Sequence, residues 1–348
     1  MTLDSQRRKN IELKSNQLIK KIINIFIIGI GIGVLTGSLL RSLPKKRSID
    51  GSNSTSSRNN ELYINTLDFI KSNNELTQIS IAWKKLETNY KNLDVSGFLL
   101  LEDGRYAGIN SSNQLPAASS IKIFILVLCL ELIDEGILQW DQKLILTKDI
   151  IAGGSGWMRY QKEGKEFPIY EVATEMIRVS DNTATNLLIK AIGGLDIVNQ
   201  RLTEIGLNET RLNNLLPDLD GTNITTAKEL ALILQFINDT EFLSIKSRYL
   251  FRDVMSTSKP NSLIPNGILQ SLKVNKQGNI DYNLLIKGFR VFNKTGDIGI
   301  AYADAAIIQM PDNSNAFAGF VIKGPFNDPR SADLIREMTS EMISLLKN

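Results

Sequence analysis

Histidine is absent from all 348 residues, and cysteine occurs once. The first absence excludes a Ser-His-Asp triad, a Cys-His dyad and any imidazole metal site. The second excludes an internal disulfide. Cys129 sits in the apolar run Ile123–Leu130 and reads as a buried thiol, not a nucleophile. Chemistry is left to hydroxyls, amines, carboxylates and backbone amides, with neither metal nor cofactor expected. A general basic excess is also lacking. Residues 1–60 hold 11 Lys/Arg against three acids, a net +8, whereas the other 288 hold 29 against 34, a net −5. The positive charge belongs to the N-terminus, which points to membrane topology and away from nucleic acid.

One long uncharged run is present. Ile22–Leu40 spans 19 residues without a charge, enough to cross a hydrocarbon core of about 30 Å as a helix. Its four glycines would weaken a soluble helix but are common in membrane ones. Arg7, Arg8, Lys9, Lys14, Lys20 and Lys21 precede it and hold residues 1–21 on the cytoplasmic side. Thr36 and Ser38 have the size a signal peptidase accepts, but the basic region is long and no A-x-A site follows. The expectation is an uncleaved, single-pass anchor in the cytoplasmic membrane. Residues 41–60 are Ser/Asn-rich and aperiodic, a flexible tether that leaves 61–348 as an exported, periplasmic body.

Within that body the periodicities fall into three blocks. A helical stretch over 61–93 is followed by strands at Val95–Leu101 and Tyr106–Ile109 around the turn Glu102-Asp103-Gly104. Helical spacing then dominates: Ile121–Ile133, Ile169–Arg178, Thr183–Ile192, Leu195–Ile205 and Thr226–Ile237. Strands return at Gly288–Asn293, Tyr302–Gln309 and Ala316–Ile322, before a closing helix over Ser331–Leu346. This order predicts an α/β lobe from both chain ends (61–118 and 276–348), with a mixed, mainly antiparallel sheet. An all-α lobe (119–275) is inserted in it, with a cleft between them.

Without histidine, a serine nucleophile needs another base, and lysine is the common substitute. The pattern Ser-x-x-Lys places both on one helix face and occurs four times. Ser42–Lys45 lies in the tether, Ser256–Lys259 precedes Pro260, and Ser344–Lys347 ends the final helix. Only Ser119–Lys122 opens a long apolar helix, where free N–H groups and the dipole favour a developing oxyanion. Ser180-Asp181-Asn182 and Lys294-Thr295-Gly296 follow at intervals of 61 and 114 residues, the first between two helices and the second at the end of a strand. The ordered trio indicates an active-site serine hydrolase or acyltransferase.

These three motifs are those of the penicillin-recognising serine enzymes. Residues 116–122 and the run Ser180–Leu188 resemble class A β-lactamases, and the resemblance extends over 61–348. It implies that fold, with Ser119 acylated and Lys122 accepting or relaying its proton. It further implies Ser180 as proton donor to the leaving nitrogen, Asn182 on the substrate amide, and Lys294 and Thr295 on its carboxylate. Gly296 would admit the substrate close to the backbone, and the N–H groups of Ser119 and Asp297 would form the oxyanion hole. Asp181 is read as a loop brace.

Class A β-lactamases keep a general base in a Glu-x-x-Leu-Asn loop about 36 residues after the Ser-Asp-Asn serine. Counting from Ser180 reaches Leu216, in Leu216-Pro217-Asp218-Leu219-Asp220; the pattern's leucine is matched by Leu219, but leucine replaces the glutamate and Asp220 the asparagine. A β-lactam should then acylate Ser119 and stay as a covalent ligand, with Lys122 as the acylation base. The chain resembles cyanobacterial penicillin-binding proteins of this fold that carry leucine there. Their substrates are the D-Ala-D-Ala ends of peptidoglycan stem peptides. Two alternatives stand: a β-lactamase whose base has moved to Asp220 or Asp218, and a sensor that acylates once. Against the sensor, 21 residues before the anchor are few for an output domain.

Overall fold

A computed structural model describes residues 74–238, 241–259, 262–272 and 288–347. The expected tail, anchor and tether (1–60) lie outside these residues, as does the start of the expected first helix. Among the described residues no helix is long and apolar enough to cross a membrane.

The elements run α1 (Thr77–Asn89), β1 (Asp94–Leu101), β2 (Tyr106–Ile109), β3 (Leu115–Pro116), a short 3₁₀ turn (Ala118–Ile121) and α2 (Lys122–Asp134). Then come β4 (Lys143–Ile145), β5 (Glu166–Pro168), α3 (Ile169–Arg178), α4 (Asn182–Ile192), α5 (Leu195–Glu204), β6 (Ile224–Thr225) and α6 (Ala227–Phe236). The remainder is α7 (Ile245–Ser256), α8 (Ile264–Ser271), β7 (Arg290–Asp297), β8 (Ala301–Gln309), β9 (Asn315–Lys323) and α9 (Pro329–Leu346).

The main sheet has the order β2-β1-β9-β8-β7, so the first two of its strands in the chain lie side by side with the last three. Each of its strand pairs is antiparallel; the only parallel contact among the described residues is the isolated bridge Glu75–Tyr106. β8 and β9 lack polar alternation because both faces are covered. One face, with Leu99, Ala306, Ile308 and Phe320, packs on α1, α8 and α9; the other, with Phe98, Ile307, Phe317 and Val321, joins the core of the helical layer. Trp83 on α1 donates its indole N–H to the Met338 carbonyl of α9 at 2.8 Å.

α2 is buried on every side, from Lys122 through Leu132, as the apolar run Ile123–Leu130 requires. It is the axis of the helical layer, and its first turn points at the sheet edge. Two helices of this region carry weak sequence signals. α7 (IKSRYLFRDVMS) buries only Ser247, Phe251, Val254 and Met255. α8 falls inside the segment expected in the helical lobe, but Leu263, Ile264 and Ile268 pack in the cluster of α1 and α9. The helical layer therefore ends before residue 263, not at 275.

The sheet meets the helical layer at β9, where Gly319 lies beneath α6. A Cβ at this position would stand 2.5 Å from the Ala227 carbonyl oxygen and 2.9 Å from Leu230 Cβ, so only glycine lets the first turn of α6 settle. Gly319→Ala should lower unfolding stability by about 1–3 kcal/mol, read by denaturant unfolding. An unchanged midpoint would show that α6 does not bear on the sheet there.

Candidate active site

The three motifs converge. The 3₁₀ turn brings Ser119 one turn ahead of Lys122, the link between α3 and α4 supplies Ser180, the first residue of α4 is Asn182, and β7 supplies Lys294, Thr295 and Gly296. Lys294-Thr295-Gly296 lies within β7, paired with Ala305, Asp304 and Ala303 of β8, not after the strand's end. The cleft has a volume of about 240 Å³ and is lined by Ser119, Ser155, Ser180, Lys294, Thr295 and Asp297, together with Tyr302, Lys259 and Arg336. A groove between α7 and β7, about 600 Å³, is larger. The reactive groups meet in the smaller one.

Lys122 is wholly buried, and its Nζ stands 3.0 Å from Ser119 Oγ, 2.9 Å from Ser180 Oγ, 2.8 Å from the Ser180 carbonyl oxygen and 2.9 Å from Asn182 Oδ1. An ammonium has three protons for these four neighbours; a neutral amine has two protons and a lone pair. The Ser180 carbonyl and Asn182 Oδ1 only accept, and Asn182 Nδ2 is itself committed to the Gly153 carbonyl at 3.0 Å. A neutral amine satisfies both acceptors and keeps its lone pair for a hydroxyl. Burial, then the charge of Lys294, hold the Lys122 ammonium well below its ordinary pKa, against a smaller pull from Asp181. Ser180 Oγ donates to Ser119 Oγ at 2.9 Å, which closes a ring of two hydroxyls and one amine.

Two strained backbones hold this ring. Ala118, just before Ser119, and Ser180 have φ of +47° and +59°. Left-handed non-glycine residues cost about 1–3 kcal/mol each and persist where the surroundings dictate them. At Ser180 the surroundings are Asp181, whose carboxylate caps α4 through Ala184 N at 3.0 Å and accepts from Trp157 N at 2.7 Å and Met158 N at 2.8 Å. Asp181 is thus a brace between α4 and the 152–158 loop. That loop also brings Ser155 to the cleft, a residue the sequence motifs do not reach.

Lys294 is 2% exposed and donates to the Thr295 carbonyl at 2.6 Å. Burial pushes it down to about 8, opposed by the charge of Asp304. Asp304 is fully buried beneath it, accepting from Asn293 Nδ2 at 2.9 Å and Ile264 N at 2.9 Å, and burial raises it to about 6. A carboxylate inside an Ala-rich strand is the only sequence sign of this support. Gly296 faces the nucleophile's turn: a Cβ there would stand 2.5 Å from Ser119 N. Asp297 accepts from Gly299 N at 2.8 Å, and its carboxylate also engages the Tyr302 hydroxyl.

The loop of Leu216 is clamped to α4. Leu216 N donates to Asn186 Oδ1 and Asn186 Nδ2 donates to the Leu216 carbonyl, both at 2.8 Å. Asn186 follows Asn182 by one helical turn, so the loop register is tied to the motif. Leu216 is 6% exposed. Asp218 accepts from Thr222 N, Thr222 Oγ1 and Asn223 N at 3.1, 2.8 and 2.6 Å, which commits both its oxygens to the loop. Asp220 is exposed. Neither aspartate lines the cleft with Ser119.

A model of the β-lactamase enzyme family matches residues 78–346. The chain belongs to that family. β-Lactamase BRO-1 of Moraxella catarrhalis is 26% identical over 275 residues, 79% of this chain and 83% of the relative. Structures of PBP-A align with a TM-score of 0.72 at 35% identity, covering 78% of this chain and 97% of that one. Another PBP-A structure, 34% identical, is a leucine-to-glutamate variant in acyl-enzyme complex with penicillin G. A reconstructed ancestral class A β-lactamase of Gram-negative bacteria shares the fold, with a TM-score of 0.67 at 23% identity, covering 77% of this chain and 99% of that one. The protein is a class A β-lactamase-like serine enzyme.

The two buried lysines set a pH dependence. Acylation by a penicillin, as rate over binding constant, should rise with pH as Lys122 loses its proton and fall above about pH 8 as Lys294 loses the charge that meets a carboxylate. Asp304→Asn removes the charge that raises Lys294, so the alkaline limb should move to lower pH. A profile flat between pH 5 and 10 would refute the assignment.

Proposed function

We propose that the protein is a penicillin-binding D,D-peptidase that forms an acyl-enzyme on Ser119 with the D-Ala-D-Ala ends of peptidoglycan stem peptides. Lys122 takes the proton of Ser119 Oγ as it attacks the penultimate carbonyl. Ser180, bonded to both, passes a proton to the departing nitrogen. The N–H groups of Ser119 and Asp297 hold the oxyanion, Lys294 and Thr295 the terminal carboxylate, and Asn182 the substrate amide. D-Ala leaves, and water or an amine takes the acyl group.

The observation that carries this reading is the clamp on Leu216. A side chain without a proton acceptor stands at the sequence position where class A β-lactamases keep their general base, and Asn186 fixes its register from both backbone groups. Loss of a positioned base removes about 10²–10⁴ from the step that uses it. For a β-lactam the loss is compounded, because the expelled nitrogen remains tethered to the acyl group and occupies the cleft. A peptide substrate releases D-Ala and leaves room for the acceptor. PBP-A, the 35%-identical relative, is named for penicillin binding, and its leucine-to-glutamate variant holds penicillin G as an acyl-enzyme. The commitment of Asp218 to its loop and the exposure of Asp220 weigh against a relocated base.

The substrate lies outside the cytoplasmic membrane, which accords with residues 22–40 as a membrane anchor, 1–21 inside the cell, 41–60 as a tether and 61–348 as the periplasmic catalytic body. Peptidoglycan is the partner and β-lactams are covalent ligands.

The test is to label the full chain with a fluorescent penicillin and follow the adduct over hours, alongside D-Ala release from a peptide ending in D-Ala-D-Ala. The adduct should persist, Leu216→Glu should shorten its life by about 10²-fold or more, and D-Ala should be released. Ser119→Ala should abolish labelling. Rapid turnover of penicillin by the unaltered protein would make it a β-lactamase instead, and a persistent adduct without D-Ala release would make it a sensor.

A further inference from the structure

The groove between α7 and β7 takes no part in the reaction proposed above. Its volume is about 600 Å³, and three arginines line it: Arg248 and Arg252 from α7, one turn apart, and Arg290 from the start of β7. They are few in acidic company. Asp253 lines the same groove, and Glu102 acts on Arg252 from a distance while it binds Asn315 N at 2.9 Å. Among the described residues no carboxylate lies within ion-pair distance of any of the three guanidinium groups. In a body with a net charge of −5 over residues 61–348, such a concentration of like charge needs a counter-charge.

The existing contacts leave much of the donor capacity unused. Arg252 Nη2 donates to Asn238 Oδ1 at 2.8 Å and Arg248 Nη1 to the Asn238 carbonyl at 3.3 Å, but the buried Arg248 Nε has no partner. Burial, and then the neighbouring charges of Arg248 and Arg290, lower Arg252 below its ordinary value in spite of Glu102. An uncompensated cluster of this kind gains from a bound oxyanion, since guanidinium forks match phosphate geometry.

The floor and rim are apolar. The guanidinium groups of Arg252 and Arg290 lie 5.6 and 6.0 Å from the centre of the Phe292 ring. Ile245 and Tyr249, one turn apart on α7, are 66% and 70% exposed on the rim. A free inorganic anion makes no use of such surface; an anion joined to a hydrocarbon does. We propose that the α7–β7 groove binds a phosphate-bearing amphiphile, its phosphate among Arg248, Arg252 and Arg290 and its apolar part on Phe292, Ile245 and Tyr249.

Two soluble probes separate the sources of the phosphate. Inorganic pyrophosphate and dihexanoyl phosphatidic acid below its micelle concentration are each titrated calorimetrically into the full chain in uncharged detergent, at low salt. The amphiphile should bind more tightly than pyrophosphate by about tenfold. The double variant Arg252→Gln/Arg290→Gln should weaken both by about tenfold or more, whereas Ile245→Ser should weaken only the amphiphile. Penicillin labelling of Ser119 should be unaltered in all variants, which establishes that they fold and keeps this test independent of the peptidase assay. Equal affinity for the two probes would overturn the amphiphile and leave a phosphate site. No binding at millimolar probe, or equal binding by the double variant, would overturn the site itself.

Discussion

The burial of a lysine amine is the constraint on which the site rests. Lys122 opens a helix that is buried on every side, so burial disfavours the charge on its amine, and Lys294 adds repulsion. Neutrality is tolerable only if both N–H bonds find acceptors. The fold delivers these from one short segment, the Ser180 carbonyl and Asn182 Oδ1, and this fixes the path of the chain between α3 and α4. The left-handed backbone of Ser180 is a consequence, because carbonyl and hydroxyl must both face the same nitrogen. The Asp181 brace then keeps that conformation from relaxing.

The second lysine solves the opposite problem. In the proposed reaction Lys294 must stay charged to meet an anion, though it is nearly as buried as Lys122. The difference is Asp304, a buried carboxylate on the adjacent strand, which raises Lys294 while burial lowers it. Asn293 Nδ2 and Ile264 N keep that carboxylate ionised, so the entry of α8 forms part of the electrostatics of a site it does not line. The two amines are set apart by their neighbours: burial and the Lys294 charge outweigh Asp181 at Lys122, whereas at Lys294 burial is opposed by Asp304.

The sequence made much of this visible, because the reactive groups are local signatures and the helices carry a strong period. The helix read as Ile169–Arg178 has those limits in the structure, and the strand Tyr106–Ile109 likewise. α7 and α8 escaped notice, since α7 buries few residues and α8 is short and contains Pro265 and Gly267. The strand β7 runs through Lys294–Gly296 because β8 pairs with it as far as Asp297, a long-range effect with no local marker. The roles of Asn186, Asp304 and Ser155 depend on which segments meet in space. Each is an ordinary polar residue until a distant backbone group needs it.

The same distinction explains why a single leucine bears so much of the functional reading. A missing carboxylate in a loop decides little while the loop is free to slide, since Asp218 or Asp220 could then take its place. The Asn186 amide removes that freedom. It meets both the N–H and the carbonyl of Leu216, a pairing that a shift bringing Pro217 into register would break at the N–H, because Pro217 has none to offer. With Thr222 and Asn223 holding Asp218 turned into the loop, no neighbouring acid can take the place by slippage. On the proposed function, hydrogen bonds of the loop backbone thus bear on how long an acyl group stays on Ser119, although none of them touches it.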